Sequence, residues 1–475
     1  MVRLAILLTA AVVLIWPAGA QQTSATTETP VAPTPGVLFP KITAKADPSQ
    51  SYALYIPSTY SAEKTWPIVY AFDPAARGAV PVELMKEAAE RYGYIVVGSN
   101  NSRNGSAKLE AAAAEALLKD THAKFLVDDR RLYFAGFSGG ARLAAQIAQN
   151  CGCAAGVLLN GAGFSPKSPV SPDKSFAVFA ATGTYDFNYP EIIRMDEQLG
   201  KLAQPHFLRR FDGPHQWAPA EAMNEALAWF RLQAMKRGRE TRDNTFIQEQ
   251  LQLQTQHAQK FEQSGALYAA WNEYRQALAA FDGLADITAL RARSESLEHD
   301  KSVRDAAKRE HQDFDDQAGL ENDISAALYA LAAGGGQLVD MRSALEQQIS
   351  SLRSRAEHER QEEKRRVLKR ALSGIFVQAM EAGDERLEAK QVDVARAYFE
   401  AACAADPTAL WALENLAIAR ALGNDRKGTL EILRRARSGA KDLAAFTDWL
   451  KAESAFDKLR ESSEFGALLG PSTAH

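Results

Sequence analysis

Leu132-Tyr-Phe-Ala-Gly136-Phe-Ser138-Gly-Gly140-Ala-Arg-Leu-Ala-Ala-Gln-Ile-Ala148 passes from a continuous apolar run, through a serine flanked by glycines, into a stretch with helical spacing. An apolar run of this length reads as a strand covered on both faces, and the alanine-rich segment after it as a helix. The glycines between them fit a tight strand-to-helix turn, where side-chain bulk would collide with the neighbouring strand and helix. Such a turn holds its serine in a strained, exposed geometry, which is how a nucleophile is presented. Gly136-Phe137-Ser138-Gly139-Gly140 is short enough to arise by chance, so its surroundings decide its meaning.

Working outward, the same alternation continues on both sides. Strand-like runs cover Tyr52 to Ile56, Ile68 to Phe72, Tyr94 to Gly98, Gly156 to Leu159, Phe176 to Ala181 and His206 to Phe211. Helical stretches such as Ala107 to Phe125 and Gly140 to Asn150 fall between them. The pattern predicts an α/β fold, a mostly parallel sheet with helices on both faces, over residues 47–236.

A serine hydroxyl needs a base, and the base needs a carboxylate to orient it. In a fold of this kind the acid and then the histidine follow late strands. Asp186 follows the Phe176 strand in Gly183-Thr-Tyr-Asp-Phe, and His215 follows the next strand in Phe211-Asp-Gly-Pro-His-Gln-Trp217. His122 precedes the serine and His206 opens a strand, so both read as structural. Asp212 lies too close to His215 in sequence to reach behind its ring. Acyl transfer also requires two donors for the developing oxyanion. The Gly139 amide is one. The other is expected after Phe72, in Asp73-Pro74-Ala75, where proline has no N–H and Ala75 is the candidate. Phe72, Phe137, Tyr185 and Trp217 flank these positions, either lining an apolar or aromatic acyl pocket or belonging to the core at the top of the sheet.

On Tyr55-Ile-Pro57, the serine turn, Gly183-Thr-Tyr-Asp186 and Gly213-Pro-His215-Gln-Trp217, residues 47–235 resemble the α/β-hydrolase superfamily. Within it they are similar to secreted polyhydroxybutyrate depolymerase-like, feruloyl-esterase-like and dienelactone-hydrolase-like proteins. The resemblance implies nucleophile, acid and base roles for Ser138, Asp186 and His215, and no cofactor or metal. Such esterases commonly carry His-Gly after the third strand, whereas this chain has Asp73-Pro74. The segment between Leu159 and Phe176 is too short for the helical cap many relatives insert, so an open cleft is expected, suited to a bulky or polymeric ester or to a site whose missing wall the helical region supplies.

Beyond residue 240 the strand signals stop and the chain becomes all-α. Gly265-Ala-Leu-Tyr-Ala-Ala270-Trp-Asn-Glu-Tyr274-Arg-Gln-Ala277 has the offsets of a tetratricopeptide helix pair. Two further matches in phase run from Gly383 through Ala395, Phe399 and Ala402 to Asp406-Pro407, and then through Leu416, Ala417, Leu433 and Ala436. The expected organisation is a helical region with one repeat and charged helices over 237–372, then tetratricopeptide-like repeats over 373–475, a family type that binds proteins. Gly334-Gly335-Gly336 divides the charged region, and mixed signs between Arg353 and Arg366 mean a solvated helix face.

With 55 basic and 59 acidic residues, the net charge of -4 leaves no electrostatic footprint for nucleic acid. Met1-Val-Arg3, an apolar run to Trp16 and Pro17-Ala-Gly-Ala20 read as a secretory signal over 1–20, or else as an uncleaved anchor. Both imply export to the periplasm or beyond, and the first leaves no stable membrane span. Residues 21–46 read as a disordered tether. Three cysteines exclude a disulfide-stapled scaffold; Cys151 and Cys153 form a bridge or are two small buried side chains. Three functional classes remain: a carboxylic-ester hydrolase, a serine peptidase of the same fold, or a non-enzymatic module acting through the helices.

Overall fold

The computed structural model describes residues 33–470 except 106, 166, 171–175 and 333–337, so the signal segment, the first part of the tether and the triple-glycine break lie outside the described residues. The described strands are β1 (Leu38–Thr43), β2 (Ser51–Tyr55), β3 (Trp66–Phe72), β4 (Ile95–Ser99), β5 (Val127–Phe137), β6 (Ala154–Asn160), β7 (Ala177–Gly183) and β8 (His206–Phe211). They form one sheet in the order β1-β2-β4-β3-β5-β6-β7-β8. β2 runs antiparallel to its neighbours β1 and β4, and the pairs from β4 through β8 are parallel.

Helices α1 (Ala79–Tyr92), α2 (Ala107–Lys124), α3 (Gly139–Cys151), α4 (Tyr189–Lys201) and α5 (Ala220–Lys236) connect or follow the strands. Successive strand residues point to opposite faces, and the core divides accordingly. Val69, Ala71, Tyr133 and Ala135 join residues of α1 and α5 on one face. Ile68, Tyr70, Phe72 and Phe134 join residues of α2, α3 and α4 on the other. Both faces are covered, which is why these strands read as unbroken apolar runs.

Two boundaries differ from the sequence reading. β1 falls inside the segment read as tether, because an edge strand is set by its partner: Leu38 pairs with Tyr55 and Thr43 with Ser51. Nor does the first core end near residue 236. Helices α6 (Asn244–Gln263), α7 (Leu267–Phe281) and α8 (Thr288–Glu298) contribute Ile247, Ala270, Tyr274, Ala277 and Leu297 to the core that holds α1 and α5. α9 (Lys301–Ala332) bridges the halves, with Phe314 buried against the α4 side of the sheet and Leu328 in a separate helical core.

That second core is built by α10 (Leu338–His358), α11 (Glu362–Glu388), α12 (Val392–Ala405), α13 (Leu410–Leu422), α14 (Arg426–Gly439), α15 (Leu443–Ala452) and α16 (Ser463–Leu469). Ala395, Phe399, Ala402, Leu416, Ala417, Leu433 and Ala436, on which the sequence reading based its expected repeats, are all buried there. Gly383 of α11 lets Phe399 of α12 approach: a Cβ at that glycine would stand 2.4 Å from the ring. Among the described residues no helix is long and apolar enough to cross a membrane. Cys151 and Cys153, at the join of α3 and β6, are disulfide-bonded.

Candidate active site

At the C-terminal end of β5 the chain turns sharply into α3, with Ser138 at φ 52° and ψ -120°, a region costly for any residue with a side chain. Two glycines make the turn possible by close approach. A Cβ at Gly136 would lie 2.0 Å from the Gly140 carbonyl oxygen, and one at Gly140 would lie 2.1 Å from that of Phe72. The Ser138 amide is tied to the Asn160 carbonyl at 2.9 Å, so the serine is fixed by the neighbouring strand as well as by its own turn.

Asp186 stands in the loop between β7 and α4, fully buried. Its Oδ1 accepts from the Asn188 amide at 2.8 Å and lies 2.9 Å from His215 Nδ1. His215 Nε2 is in turn 2.9 Å from Ser138 Oγ. A carboxylate can only accept, so Nδ1 carries the imidazole proton and Nε2 is left to accept from the serine hydroxyl. The ring is held between Phe137 and Phe187, with centroids 4.6 and 4.4 Å away. The histidines and carboxylate set aside from the sequence lie elsewhere: His122 bonds Leu118 and Asp129, His206 bonds the Gln204 carbonyl, and Asp212 accepts from Thr184.

Strand order, the antiparallel β2, and a serine, an acid and a histidine after β5, β7 and β8 form one arrangement. The first half is an α/β-hydrolase fold. No protein-family model matches the sequence, and no curated protein does. Similar solved structures include an S-formylglutathione hydrolase from Staphylococcus aureus, 14% identical with a TM-score of 0.34, covering 42% of this chain and 99% of that one. A ferulic acid esterase is 19% identical with a TM-score of 0.33, covering 40% and 93%. A hyperthermophilic esterase from the archaeon Pyrobaculum calidifontis is 15% identical with a TM-score of 0.33, covering 42% and 85%.

The oxyanion side of the hydrolase fold differs from expectation. Gly139 opens α3, so its amide is one of the first-turn donors that no intrahelical carbonyl takes. Ala75 does not present the expected free amide, because its N–H donates to Asp73 Oδ1 at 2.9 Å. Asp73 is fully buried, and its carboxylate also accepts from Arg77 Nε and Nη2 at 2.9 Å and from Trp217 Nε1 at 2.8 Å. Burial alone would raise its pKa, but the Arg77, Trp217 and Ala75 donors outweigh this and hold the carboxyl below its ordinary value. The turn is closed twice, by the Ala76 amide on the Asp73 carbonyl at 3.1 Å and by the Ala75 amide on the Asp73 side chain.

Asn104, which the sequence reading missed, lies against Gly139. A Cβ there would meet its Oδ1 at 1.8 Å and its Nδ2 at 3.2 Å. The loop after β4 is fastened in place by the Asn104 amide on the Pro74 carbonyl at 3.0 Å. Spacing gave no signal for it, since it depends on two loops meeting.

Of the four aromatic pocket candidates, Phe72 is wholly buried in the sheet core and cannot meet a ligand. Phe137 and Trp217 are almost buried, the first against His215 and the second bonded to Asp73. Tyr185 is half-buried, and its hydroxyl donates to Glu362 of α11. The described residues between β6 and β7 hold no helix, but α9 and α11 close in on the acid loop instead. Gln317 of α9 donates to the Phe187 carbonyl at 2.9 Å.

Arg142 of α3 ties the helix after Ser138 to the start of α4, with Nη1 and Nη2 each 2.6 Å from the Glu191 carboxylate and further bonds to the Gly163 and Phe164 carbonyls. Both side chains are about one third exposed, so screening reduces what the pair contributes. Arg142→Met is expected to cost about 1–2 kcal/mol, read as a lower melting temperature by circular dichroism.

Proposed function

We propose that the chain is a serine carboxylic-ester hydrolase. One observation carries this reading: Ser138, His215 and Asp186 are joined by two 2.9 Å hydrogen bonds, on a serine held at positive φ. In the proposed reaction Ser138 Oγ attacks the ester carbonyl carbon while His215 Nε2 takes its proton. Asp186 holds the imidazole tautomer and stabilises the imidazolium. The tetrahedral adduct expels the alcohol, which leaves with the proton from Nε2, and an acyl-serine remains. Water, deprotonated by the same nitrogen, attacks the acyl carbonyl and releases the carboxylic acid.

With the Ala75 amide engaged by Asp73, the second oxyanion donor in this reading is the side-chain amide of Asn104, which lies against Gly139. Asn104→Ala is expected to lower kcat about 100-fold with little change in KM, measured on a p-nitrophenyl ester. The test of the reaction class is labelling by a fluorophosphonate, expected in the wild-type chain and lost in Ser138→Ala. Unlabelled wild-type protein under native conditions would remove the esterase reading.

A second reading, a hydrolase-fold interaction module that acts through its helices and turns over weakly or not at all, draws support from the engaged Ala75 amide. A protein partner captured equally by wild type and Ser138→Ala, with no turnover of short-chain esters, would favour it. We further propose export, supported by the N-terminal pattern and by the Cys151–Cys153 bridge, which an oxidising compartment would preserve.

A further inference from the structure

Where α7, α9 and α11 meet the acid loop there is a cavity of about 440 Å³, lined by Thr184, Arg309, Glu310, Asp313, Arg366 and Arg370 among others. Its floor carries a charge with little compensation. Arg370 is only 4% exposed, yet its one hydrogen bond among the described residues is a long contact of 3.5 Å from Nη1 to the Thr184 carbonyl. Its Nε is buried with no partner, and the guanidinium lies 4.8 Å over the Tyr189 ring. Buried cations are ordinarily paired, because desolvation is otherwise uncompensated.

Glu310, Asp313 and Glu363 also line the cavity. Glu310 accepts from the Tyr189 and Tyr268 hydroxyls at 2.6 and 2.7 Å, one on each oxygen. Burial raises the Asp313 carboxyl above its ordinary pKa, and burial likewise lowers that of Arg370. Among the described residues no carboxylate stands within ion-pair distance of Arg370. One helical turn before it, Arg366 faces the same cavity, and Arg309 approaches from α9. Three guanidinium groups thus share one concave surface with three carboxylates, and the buried one, Arg370, has no ion-pair partner among the described residues.

We propose that this cavity binds a small anion, a carboxylate or a phosphate, seated on Arg370 and Arg366. Planar guanidinium groups match both anions through paired charge-assisted hydrogen bonds. The site borders the catalytic loop: Arg370 touches Thr184, Glu362 of α11 holds Tyr185, and Asp186 is the next residue. Occupancy therefore bears on the orientation of the acid, a consequence that rests on the esterase reading, whereas binding itself does not.

The test is titration calorimetry of the full chain with sodium phosphate, sodium acetate and sodium succinate, against sodium chloride at matched ionic strength. Saturable binding of phosphate or of a carboxylate is expected, and the anion that binds assigns the source. Arg370→Gln and Arg370→Met are expected to weaken it about tenfold or more. Arg370→Met should also raise the melting temperature in chloride, since it removes the uncompensated charge. Arg366→Gln, at a less buried position, should weaken binding at least about threefold, and it decides the matter if the Arg370 variants do not fold. Absence of saturable binding by either anion class, or binding unchanged in these variants, overturns the proposal. Loss of fluorophosphonate labelling with anion binding retained would instead count against the esterase reading alone.

Discussion

Ser138→Ala is expected to lower kcat toward a short p-nitrophenyl ester by about 10⁴-fold or more, because in the proposed reaction it removes the nucleophile and leaves only binding and oxyanion stabilisation. The companion substitution Ser138→Gly should be as inactive yet more stable. Ser138 sits at φ 52°, ψ -120°, a conformation that costs about 1–3 kcal/mol for a residue with a side chain. Glycine relieves that strain and returns about 0.5–1 kcal/mol through the greater freedom of the unfolded chain. The net expectation is a gain of about 1 kcal/mol, seen as a higher melting temperature. Ester turnover surviving in Ser138→Ala would show that another group does the chemistry. A melting temperature lowered by Ser138→Gly would show that the turn is not strained.

Asp73→Ala is expected to destabilise the chain by about 3 kcal/mol or more, because a buried hydrogen-bonding centre is removed while its partners stay behind. The Trp217 indole N–H, on the loop that carries His215, would lose its acceptor at 2.8 Å. Arg77 is half-exposed and can turn to water, so most of the loss comes from the tryptophan, the Ala75 amide and the space left by the carboxylate. The effect is also pH-dependent. A carboxyl held below its unfolded value stabilises fully above that value, about 3.9, and the contribution disappears as the pH falls through the folded one. Chemical denaturation at pH 7 and pH 3 should therefore show a smaller pH dependence in Asp73→Asn than in wild type. An unchanged dependence would assign the acid sensitivity to other carboxyls, such as Glu273, whose pKa burial would raise but which His257 and Arg209 hold down.

Much of the first half was legible because its signals are local. Strand runs such as Ile68 to Phe72 appear unbroken since both faces are covered, and the serine turn announces itself through glycines that neighbouring backbone forces on it. The order of Ser138, Asp186 and His215 followed from placing each after its strand, and the structure brings the three side chains within hydrogen-bonding distance.

The remainder depended on partners far away in the chain. β1 exists because Leu38 meets Tyr55 across the sheet edge, and a short half-buried strand has no periodicity strong enough to declare itself. Helices α6 to α8 read correctly as helices, but an amphipathic pattern names the face to be buried and not what will cover it. Their apolar faces close the first core and so move the boundary beyond residue 236. The serine turn and the chain order of Ser138, Asp186 and His215 were set by the sequence alone. The fate of the Ala75 amide, the nearness of Asn104 to that turn and that of Arg370 to Thr184 were decided by tertiary structure, because a hydrogen-bond donor is spent or free only according to which acceptors folding brings within reach.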